Sequence, residues 1–305
     1  MQIIAKLRQL LLILALPIFS GSVSAQVDDL GNVQIKTTKL ADGLYMLEGS
    51  GGNIGVSVGD DGVMLVDDQF AQLTDKIKAA VAAITDKPIR FVLNTHHHPD
   101  HVGGNEILAA DGVTILAHEN VRKHMVEGAF NIVMQRQLPP APQVALPIIT
   151  FSDSIKLHIN GEEIHAFHVV PAHTDGDAYV HFTKANVIHA GDVFRTTDYP
   201  LVDTGAHGTF QGIIAGYEVL LQLAGPDTKI LPGHGVVSTR KDVESQLAML
   251  VEIRDSIKAL IAAGKTLEQV VAAAPTAQYD ARWGSGRIKG ADITTLIYKE
   301  LKDNP

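Results

Sequence analysis

Residues 94–105, "NTHHHPDHVGGN", directly follow the mostly apolar run "IRFVL". This stretch packs four histidines and one aspartate into the six positions from His96 to His101. The chain contains no cysteine, so a transition-metal site in it has to be built from imidazole and carboxylate groups. A buried strand that runs straight into such a cluster predicts a ligand-binding site at the end of the strand.

The spacing within the cluster divides its members between two directions. Alternate side chains of an extended segment point the same way, so His96 and His98 are expected to face one point while His97 faces away. The proline that follows forces a turn, after which Asp100 and His101 emerge toward a second point nearby. The loop is therefore expected to present ligands in two neighbouring places.

Three further residues match the cluster from the ends of other apolar strands. They are His173 in "PAHTDGD", Asp192 in "HAGDVF" and His234 in "LPGHG". Each lies beside glycine or proline, where an ordinary core histidine would be awkward to place. Because ligands of open α/β folds gather at the carboxyl ends of strands, these residues are expected to complete the site.

The chain alternates strands and helices in two similar halves. In the first, a strand over 62–67 ends in an acid, a helix over 71–84 crosses over, and the next strand ends at the histidine cluster. In the second, "NVIHAGD" ends in an acid, a helix near 210–224 follows, and "KILPGHG" ends in histidine. This pattern predicts an α/β fold with a weak internal duplication and one shared site.

Two segments stand outside this repeat. Residues 128–150 are rich in proline and glutamine and are expected to form an irregular loop, one able to overhang a site. Residues 239–303 have helical spacing and are expected to cover one sheet face. No linker or low-complexity tract divides residues 26–305, which are predicted to form a single domain.

The first 25 residues carry the pattern of a cleaved secretory signal. Lys6 and Arg8 precede the apolar run "QLLLILALPIF", and small residues follow up to Ala25. The alternative is an uncleaved membrane anchor, for which the run is short. The protein is therefore expected to be periplasmic or secreted, with cleavage near Ala25, and not to associate with a membrane afterwards.

Charge and composition limit the classes of molecule that the protein is expected to bind. The net charge is −9, and removal of a signal that carries two cations and no acid makes it −11. Such acidity suits neither nucleic acid nor anionic lipid, so the expected partner is a small-molecule substrate. The sequence leaves the oligomeric state open.

Over roughly residues 40–240 the chain resembles the metallo-β-lactamase superfamily. The stretch "HHHPDH" is similar to its HxHxDH motif, and "PAHTDG", "AGDVF" and "LPGHG" are similar to its later ligand turns. The resemblance implies an α/β (α+β) fold, an αββα sandwich of two mixed sheets flanked by helices. It also implies two zinc ions per chain, with Asp67 and Thr95 bracing the ligand loop. The implied ligands are His96, His98 and His173 for one ion, Asp100, His101 and His234 for the other, and Asp192 as the bridge.

The implied activity is hydrolysis. The superfamily's redox members typically carry glutamate in place of His98, whereas histidine suits zinc. Two zinc ions would activate a water toward a carbonyl, and Asp100 would orient it and pass a proton to the leaving atom. Arg195 stands where some β-lactamases place a lysine that grips the substrate carboxylate, which favours β-lactam amide hydrolysis.

Other interpretations stay open at this point. Asp192 stands where those lactamases have cysteine and is similar to the residue in glyoxalase II and lactonases, which favours thioester, lactone or ester hydrolysis. Arg282, Arg287 and Lys289 are candidates for a glutathione site. His207, in a glycine-rich loop, is a candidate for lining the pocket. A periplasmic zinc-binding module that keeps the site for structure is the alternative without catalysis.

Overall fold

A computed structural model describes residues 30–131 and 136–303, and the predicted signal segment lies outside these residues. The first sheet has seven strands, and two short strands form a separate hairpin. In chain order these strands are β1 (Lys36–Ala41), β2 (Leu44–Glu48), β3 (Ile54–Gly59), β4 (Gly62–Val66), β5 (Ile89–Asn94), β6 (Thr114–His118), β7 (Phe130–Asn131), β8 (Arg136–Gln137) and β9 (Ile149–Phe151). The hairpin consists of β7 and β8, and the sheet has the order β1-β2-β3-β4-β5-β6-β9. Its strands pair antiparallel from β1 to β4 and parallel from β4 to β9.

The second sheet has five strands in chain order and is antiparallel except for its last pair, which is parallel. Its strands are β10 (Ser154–Ile159), β11 (Glu162–His168), β12 (Ala178–Phe182), β13 (Val187–His189) and β14 (Lys229–Leu231). One buried apolar cluster joins Met64 and Leu116 of the first sheet to Val180 and Leu231 of the second. The two sheets therefore pack face to face.

Helices cover both outer faces. They are α1 (Thr74–Ala82), α2 (Pro99–Val102), α3 (Asn105–Ala110), α4 (Glu119–Glu127), α5 (Phe210–Leu223), α6 (Arg240–Ala262), α7 (Leu267–Ala272), α8 (Ala277–Trp283) and α9 (Gly290–Asp303). Ile77 of α1 packs on the first sheet, whereas Ile213 and Ile253 join the core beneath the second. The predicted αββα sandwich of two mixed sheets is confirmed. Within the described residues, no helix combines the length and apolar character needed to cross a bilayer.

The two halves use the same connection at the site. Strands β4 and β5 pair in parallel through α1, and β13 and β14 pair in parallel through α5. A parallel pair needs such a crossover, which returns the chain so that both strands end at the same edge. The acid after each first strand and the histidines after each second strand are thereby brought to one end of the sandwich.

Two expectations differ in detail from the structure. Strand β4 ends at Val66 because Asp67 has a positive φ of 65°, and helix α1 begins at Thr74 after a 3₁₀ turn over Ala71–Leu73. The segment 128–150 is not irregular throughout, since it contains β7, β8 and the first two residues of β9. Strands of two or three residues carry too little alternation to show a period of two in the sequence.

Candidate metal centre

The loops at one end of the sandwich bring all seven predicted ligands together. His96, His98, Asp100 and His101 lie on or just before the short helix α2, which follows β5. The other three, His173, Asp192 and His234, lie in the loop before β12 and in the turns after β13 and β14. Four overlapping groups have their potential ligand atoms within 4.8 Å of one another, and two of them match the predicted sets: His96, His98 and His173, and Asp100, His101 and His234. The other two are His96, His101 and Asp192, and His97, His98 and Asp203.

The first group consists of three buried imidazoles around one point. The ring centroids of His96, His98 and His173 lie 4.6–4.9 Å apart, with interplanar angles of 83–87°. Nδ1 of His98 lies 2.9 Å from Nε2 of His173. Nε2 of His96 is buried and has no hydrogen-bond partner among the described residues. Nearly perpendicular rings whose nitrogen atoms converge on one small space are better arranged to bind a cation than to form hydrogen bonds with one another.

The second group adds a carboxylate to two imidazoles. Nε2 of His234 lies 3.2 Å from Oδ2 of Asp100 and 3.3 Å from Nε2 of His101. Asp192 stands between the groups. Its Oδ1 is 3.4 Å from Nε2 of both His101 and His234, while its Oδ2 is 3.8 Å from Nε2 of His173. Each oxygen of Asp192 thus faces a different group, as a bridging ligand requires.

Four of the imidazoles are held by their outer nitrogens. Thr95 Oγ1 donates its only proton to Asp67, so it accepts from Nδ1 of His96 and leaves Nε2 of that ring free for a metal. In three further contacts, too, the ring nitrogen that faces away from the metal site is bound to a protein oxygen. They join His98 Nε2 to Asp203 Oδ2 at 2.9 Å, His101 Nδ1 to Asp67 Oδ2 at 2.8 Å, and His173 Nδ1 to the carbonyl of Leu201 at 2.7 Å.

Asp67 contacts both ends of the ligand loop, at Thr95 and at His101. Besides binding His101, it accepts hydrogen bonds from the backbone N–H of Thr95 at 2.7 Å and from its hydroxyl at 2.8 Å. Sequence reasoning found Asp67 and Thr95 but missed Asp203 and Leu201. Leu201 acts through its carbonyl, which leaves no signal in the sequence. Asp203 stands in the glycine-rich loop for which only His207 was considered.

Replacing Asp67 by asparagine is expected to lower metal affinity about 10- to 100-fold, because the amide cannot accept from Thr95 and His101 at once. Equilibrium dialysis against zinc, followed by elemental analysis, measures the change. Asp111→Asn is the matched control, since Asp111 forms an ion pair with Lys78 at the surface, away from the ligand groups. Unchanged affinity in Asp67→Asn would contradict the bracing role.

The two ligand groups differ in the direction in which the pKa values of their histidines are shifted. Burial lowers the pKa of His96 well below its ordinary value and also lowers that of His173, so both rings are neutral and ready to bind a metal. Burial also disfavours charge on His101, yet Asp100 and Asp192 raise the pKa of His101 well above its ordinary value. Asp192 likewise raises the pKa of His234 against the effect of burial. The second group therefore holds protons that a metal has to displace.

Metal loading is expected to release protons near neutral pH. Against the effect of burial, nearby carboxylates raise the pKa values of His101 and His234 and so favour their protonated forms, whereas both rings must be neutral to bind a metal. Affinity for the second metal consequently falls as the pH falls. Titration of the metal-free protein with zinc in weakly buffered solution containing a pH indicator measures the release. A titration that is complete without any change in pH would contradict this assignment.

Arg195 lies beside the ligand groups, but its guanidinium is already paired. Its Nη1 donates to Asp192 Oδ2 at 2.8 Å and its Nη2 to Asp198 Oδ1 at 2.9 Å, with the side chain 12% exposed. A clamp for a substrate carboxylate would first have to leave both ion pairs. What the guanidinium does in this structure is hold the carboxylate that faces both ligand groups.

The centre opens into a cleft of about 230 Å³. Its walls combine metal-site residues with a few apolar side chains and two arginines. The lining residues include His98, Asp100, Asp192 and His234; Phe70, Pro99, Leu201 and Ile288; and Arg195, Asp198 and Arg287. Neither His207, which is exposed, nor any described residue of 128–150 lines this cleft. His97 belongs to neither ligand group and stacks on His124 instead, with ring centroids 4.4 Å apart.

The donor set fits a divalent metal that accepts nitrogen and oxygen ligands, with zinc the natural choice. Two buried atoms also support a metal site, because His96 Nε2 and Asp192 Oδ1 lack hydrogen-bond partners among the described residues. Gly52 lies so close to the His101 ring that a Cβ would collide with it. The backbone therefore closes directly over this ligand, which glycine alone permits.

Comparison with known proteins agrees with this geometry. The chain is similar to the linear primary-alkylsulfatase of Pseudomonas sp. (strain ATCC 19151), at 25% identity over 65% of this chain and 43% of that protein. It is also similar to the hydroxyacylglutathione hydrolase of Pelagibacter ubique (strain HTCC1062), at 26% identity over 52% and 57%. The chain thus spans about half the length of these curated relatives.

Solved structures share the fold. A sec-alkylsulfatase, Pisa1 from Pseudomonas sp., matches with a TM-score of 0.67 at 16% identity, over 87% of this chain and 50% of that chain. A metallo-beta-lactamase from Pontibacter korlensis matches with a TM-score of 0.60 at 16% identity, over 71% and 99%. The family model "Metallo-beta-lactamase superfamily" covers residues 47–234, more than half of the chain and every predicted ligand. The chain therefore belongs to the metallo-beta-lactamase superfamily.

Proposed function

We propose that the protein is a metal-dependent hydrolase that opens a carbonyl C–N or C–O bond in a small substrate. The observation that carries the proposal is the pair of ligand groups that have Asp192 between them and open into one cleft beside Asp100. Membership of the superfamily and similarity to relatives named as hydrolases support it.

In this proposal His96, His98 and His173 would hold one zinc ion, and Asp100, His101 and His234 would hold a second, with Asp192 between the two groups. Such a pair supplies Lewis acidity and makes a water nucleophilic at neutral pH.

Asp100 handles the proton in the proposed reaction. Its side chain is 25% exposed toward the cleft, and although burial disfavours charge, His101 and His234 lower the pKa of its carboxyl. An ionised carboxylate at the cleft wall accepts the proton of the attacking water and returns it to the leaving atom. Arg195 meanwhile keeps Asp192 in place through its 2.8 Å ion pair.

The candidate hydrolase functions differ in the bond that is cleaved. β-Lactam hydrolysis, favoured by the sequence, relied partly on Arg195, which is already paired with two carboxylates. Lactone, ester or thioester hydrolysis agrees with a bridging aspartate and with the hydroxyacylglutathione hydrolase relative. Sulfate ester hydrolysis is a second candidate, favoured by similarity to a curated alkylsulfatase and by the fold shared with Pisa1.

A panel of four substrates tests the proposal. The zinc-loaded protein is assayed with nitrocefin, an N-acyl-homoserine lactone, S-lactoylglutathione and 4-nitrophenyl sulfate. We expect turnover of at least one of the three carbonyl substrates; turnover of the sulfate alone would favour the second candidate. One tightly held zinc without turnover of any of the four would instead favour a structural zinc-binding module.

We also propose that the protein acts in the periplasm or after secretion, on a small molecule rather than on nucleic acid or a membrane. The pattern of residues 1–25 and the net charge of −9 support this location and these partners. Cell fractionation of the full chain beside a version that begins at residue 26 tests the location. Equal amounts of both in the cytoplasm would contradict export.

A further inference from the structure

The basic residues around the cleft differ in whether their side chains already have hydrogen-bond or ion-pair partners. Arg195 pairs with two carboxylates. Arg282 donates to the carbonyl of Thr196 at 2.6 Å, and Lys289 Nζ donates to the carbonyl of Ser285 at 3.1 Å. Arg287 also lines the cleft, and its guanidinium makes no hydrogen bond or ion pair anywhere in residues 30–131 and 136–303.

We propose that Arg287 is a specificity-determining residue that binds an anionic group of the substrate, such as a carboxylate. This assignment rests on the proposed hydrolase function, which it narrows to small anionic substrates. A guanidinium matches the planar geometry of a carboxylate and can donate two parallel hydrogen bonds to it. The anion binds on the rim, away from the metal ligands, while the scissile bond lies over them.

The backbone of Arg287 is fixed although its side chain is free. Its N–H donates to Asp198 Oδ2 at 3.1 Å, and the same carboxylate accepts from Arg195 through its other oxygen. Gly286 lies against Asp198 so closely that a Cβ would meet the aspartate side chain. Asp198 therefore connects the loop that carries Arg287 to the arginine that holds Asp192.

The rest of the cleft indicates what lies between the anionic group and the reacting bond. Phe70, Leu201 and Ile288 supply apolar wall, and the carboxylates of Asp100 and Asp192 lie toward the metal site. Those carboxylates would be taken up by the metal ions, and Arg195 is already paired with two aspartates, so among the lining residues Arg287 offers the free guanidinium for the anionic group. The expected substrate is thus a small molecule with a short apolar segment between its anionic group and its scissile carbonyl.

Binding of glutarate tests the proposal without requiring turnover. Calorimetry on the zinc-loaded protein measures affinity for glutarate and for neutral dimethyl glutarate. Fluorescence of Trp283, the only tryptophan of the chain, reports locally because it precedes this loop. We expect wild type to bind glutarate more tightly than the diester, and Arg287→Ala to lose about tenfold or more in affinity for glutarate.

Lys289→Ala is the matched control, since it removes a neighbouring charge of the same loop and is expected to keep glutarate affinity within about twofold. Equal affinity of wild type and Arg287→Ala would overturn the assignment. An equal loss in Lys289→Ala, or equal binding of glutarate and its diester to wild type, would also overturn it.

Turnover separates this proposal from the hydrolase proposal. Mono-4-nitrophenyl glutarate and its methyl ester differ only in the distal charge. Arg287→Ala is expected to raise KM for the anionic ester with little change in kcat, and to leave the neutral ester unaffected; a fall in kcat for both would overturn a role in recognition. Normal glutarate binding without turnover of either ester would support the anion site and contradict hydrolysis of such esters.

Discussion

Asp100→Asn is expected to lower kcat by about 10²- to 10⁴-fold, the usual contribution of a group that transfers a proton in the transition state. Asparagine keeps the size of the side chain and one oxygen, which can still face His234, but it cannot accept the proton of the attacking water. Steady-state kinetics on the best substrate of the panel measures the loss.

Metal content has to accompany that measurement, because Asp100 is also a predicted ligand. Elemental analysis of wild type, Asp100→Asn and the surface control Asp111→Asn distinguishes lost metal from lost proton transfer. Wild-type kcat in a fully metallated Asp100→Asn protein would contradict the assigned role. A fall in kcat with both metals retained would isolate the proton-handling step.

Removal of the metals by a chelator is expected to abolish turnover and to lower the thermal midpoint. A ligand present at 100 times its Kd stabilises the folded state by about 2.7 kcal/mol, which corresponds to about 5–10 °C in a domain of this size. The physical reason is that the centre is assembled only in the folded chain. Without metal, His96 Nε2 and Asp192 Oδ1 stay buried without hydrogen-bond partners.

Calorimetric scans of the loaded, stripped and zinc-restored protein measure this effect. The control is the restored sample, which has to recover both the midpoint and the activity if stripping has removed only metal. A stripped protein with an unchanged midpoint would contradict metal sites integral to the fold. Retained turnover after complete stripping would contradict the proposed chemistry.

Much of the candidate site could be predicted because its residues follow strands directly. His96 and His98 come just after β5, and Asp192 and His234 come just after β13 and β14. Parallel pairing within each half sends these strand ends to the same edge, so a strand prediction is already a prediction of proximity. The division of His96 and His98 from His97 also follows from local geometry, since alternation in extended backbone is a local rule.

Contacts between distant loops could not be predicted in the same way. The support of His98 comes from Asp203, 105 residues later, and that of His173 comes from the carbonyl of Leu201. Arg195 illustrates the difference, because its offset from Asp192 predicted a free clamp. Asp198 lies near enough to neutralise it, and the offset alone gives no information about which carboxylates a long side chain reaches.

Periodicity and strand ends predicted an α/β fold with acids and histidines gathered at one edge, because both are properties of neighbouring residues. The sandwich, the division of the ligands between two metal ions and the hydrolytic chemistry were implied by the resemblance to the superfamily. Contacts between distant parts of the chain settle which ring nitrogen is available to a metal, which charges are already paired and which stay free. Those properties depend on groups far apart in the chain, such as the side chain of Asp198 and the backbone N–H of Arg287, that meet only when the two sheets and the C-terminal helices pack together.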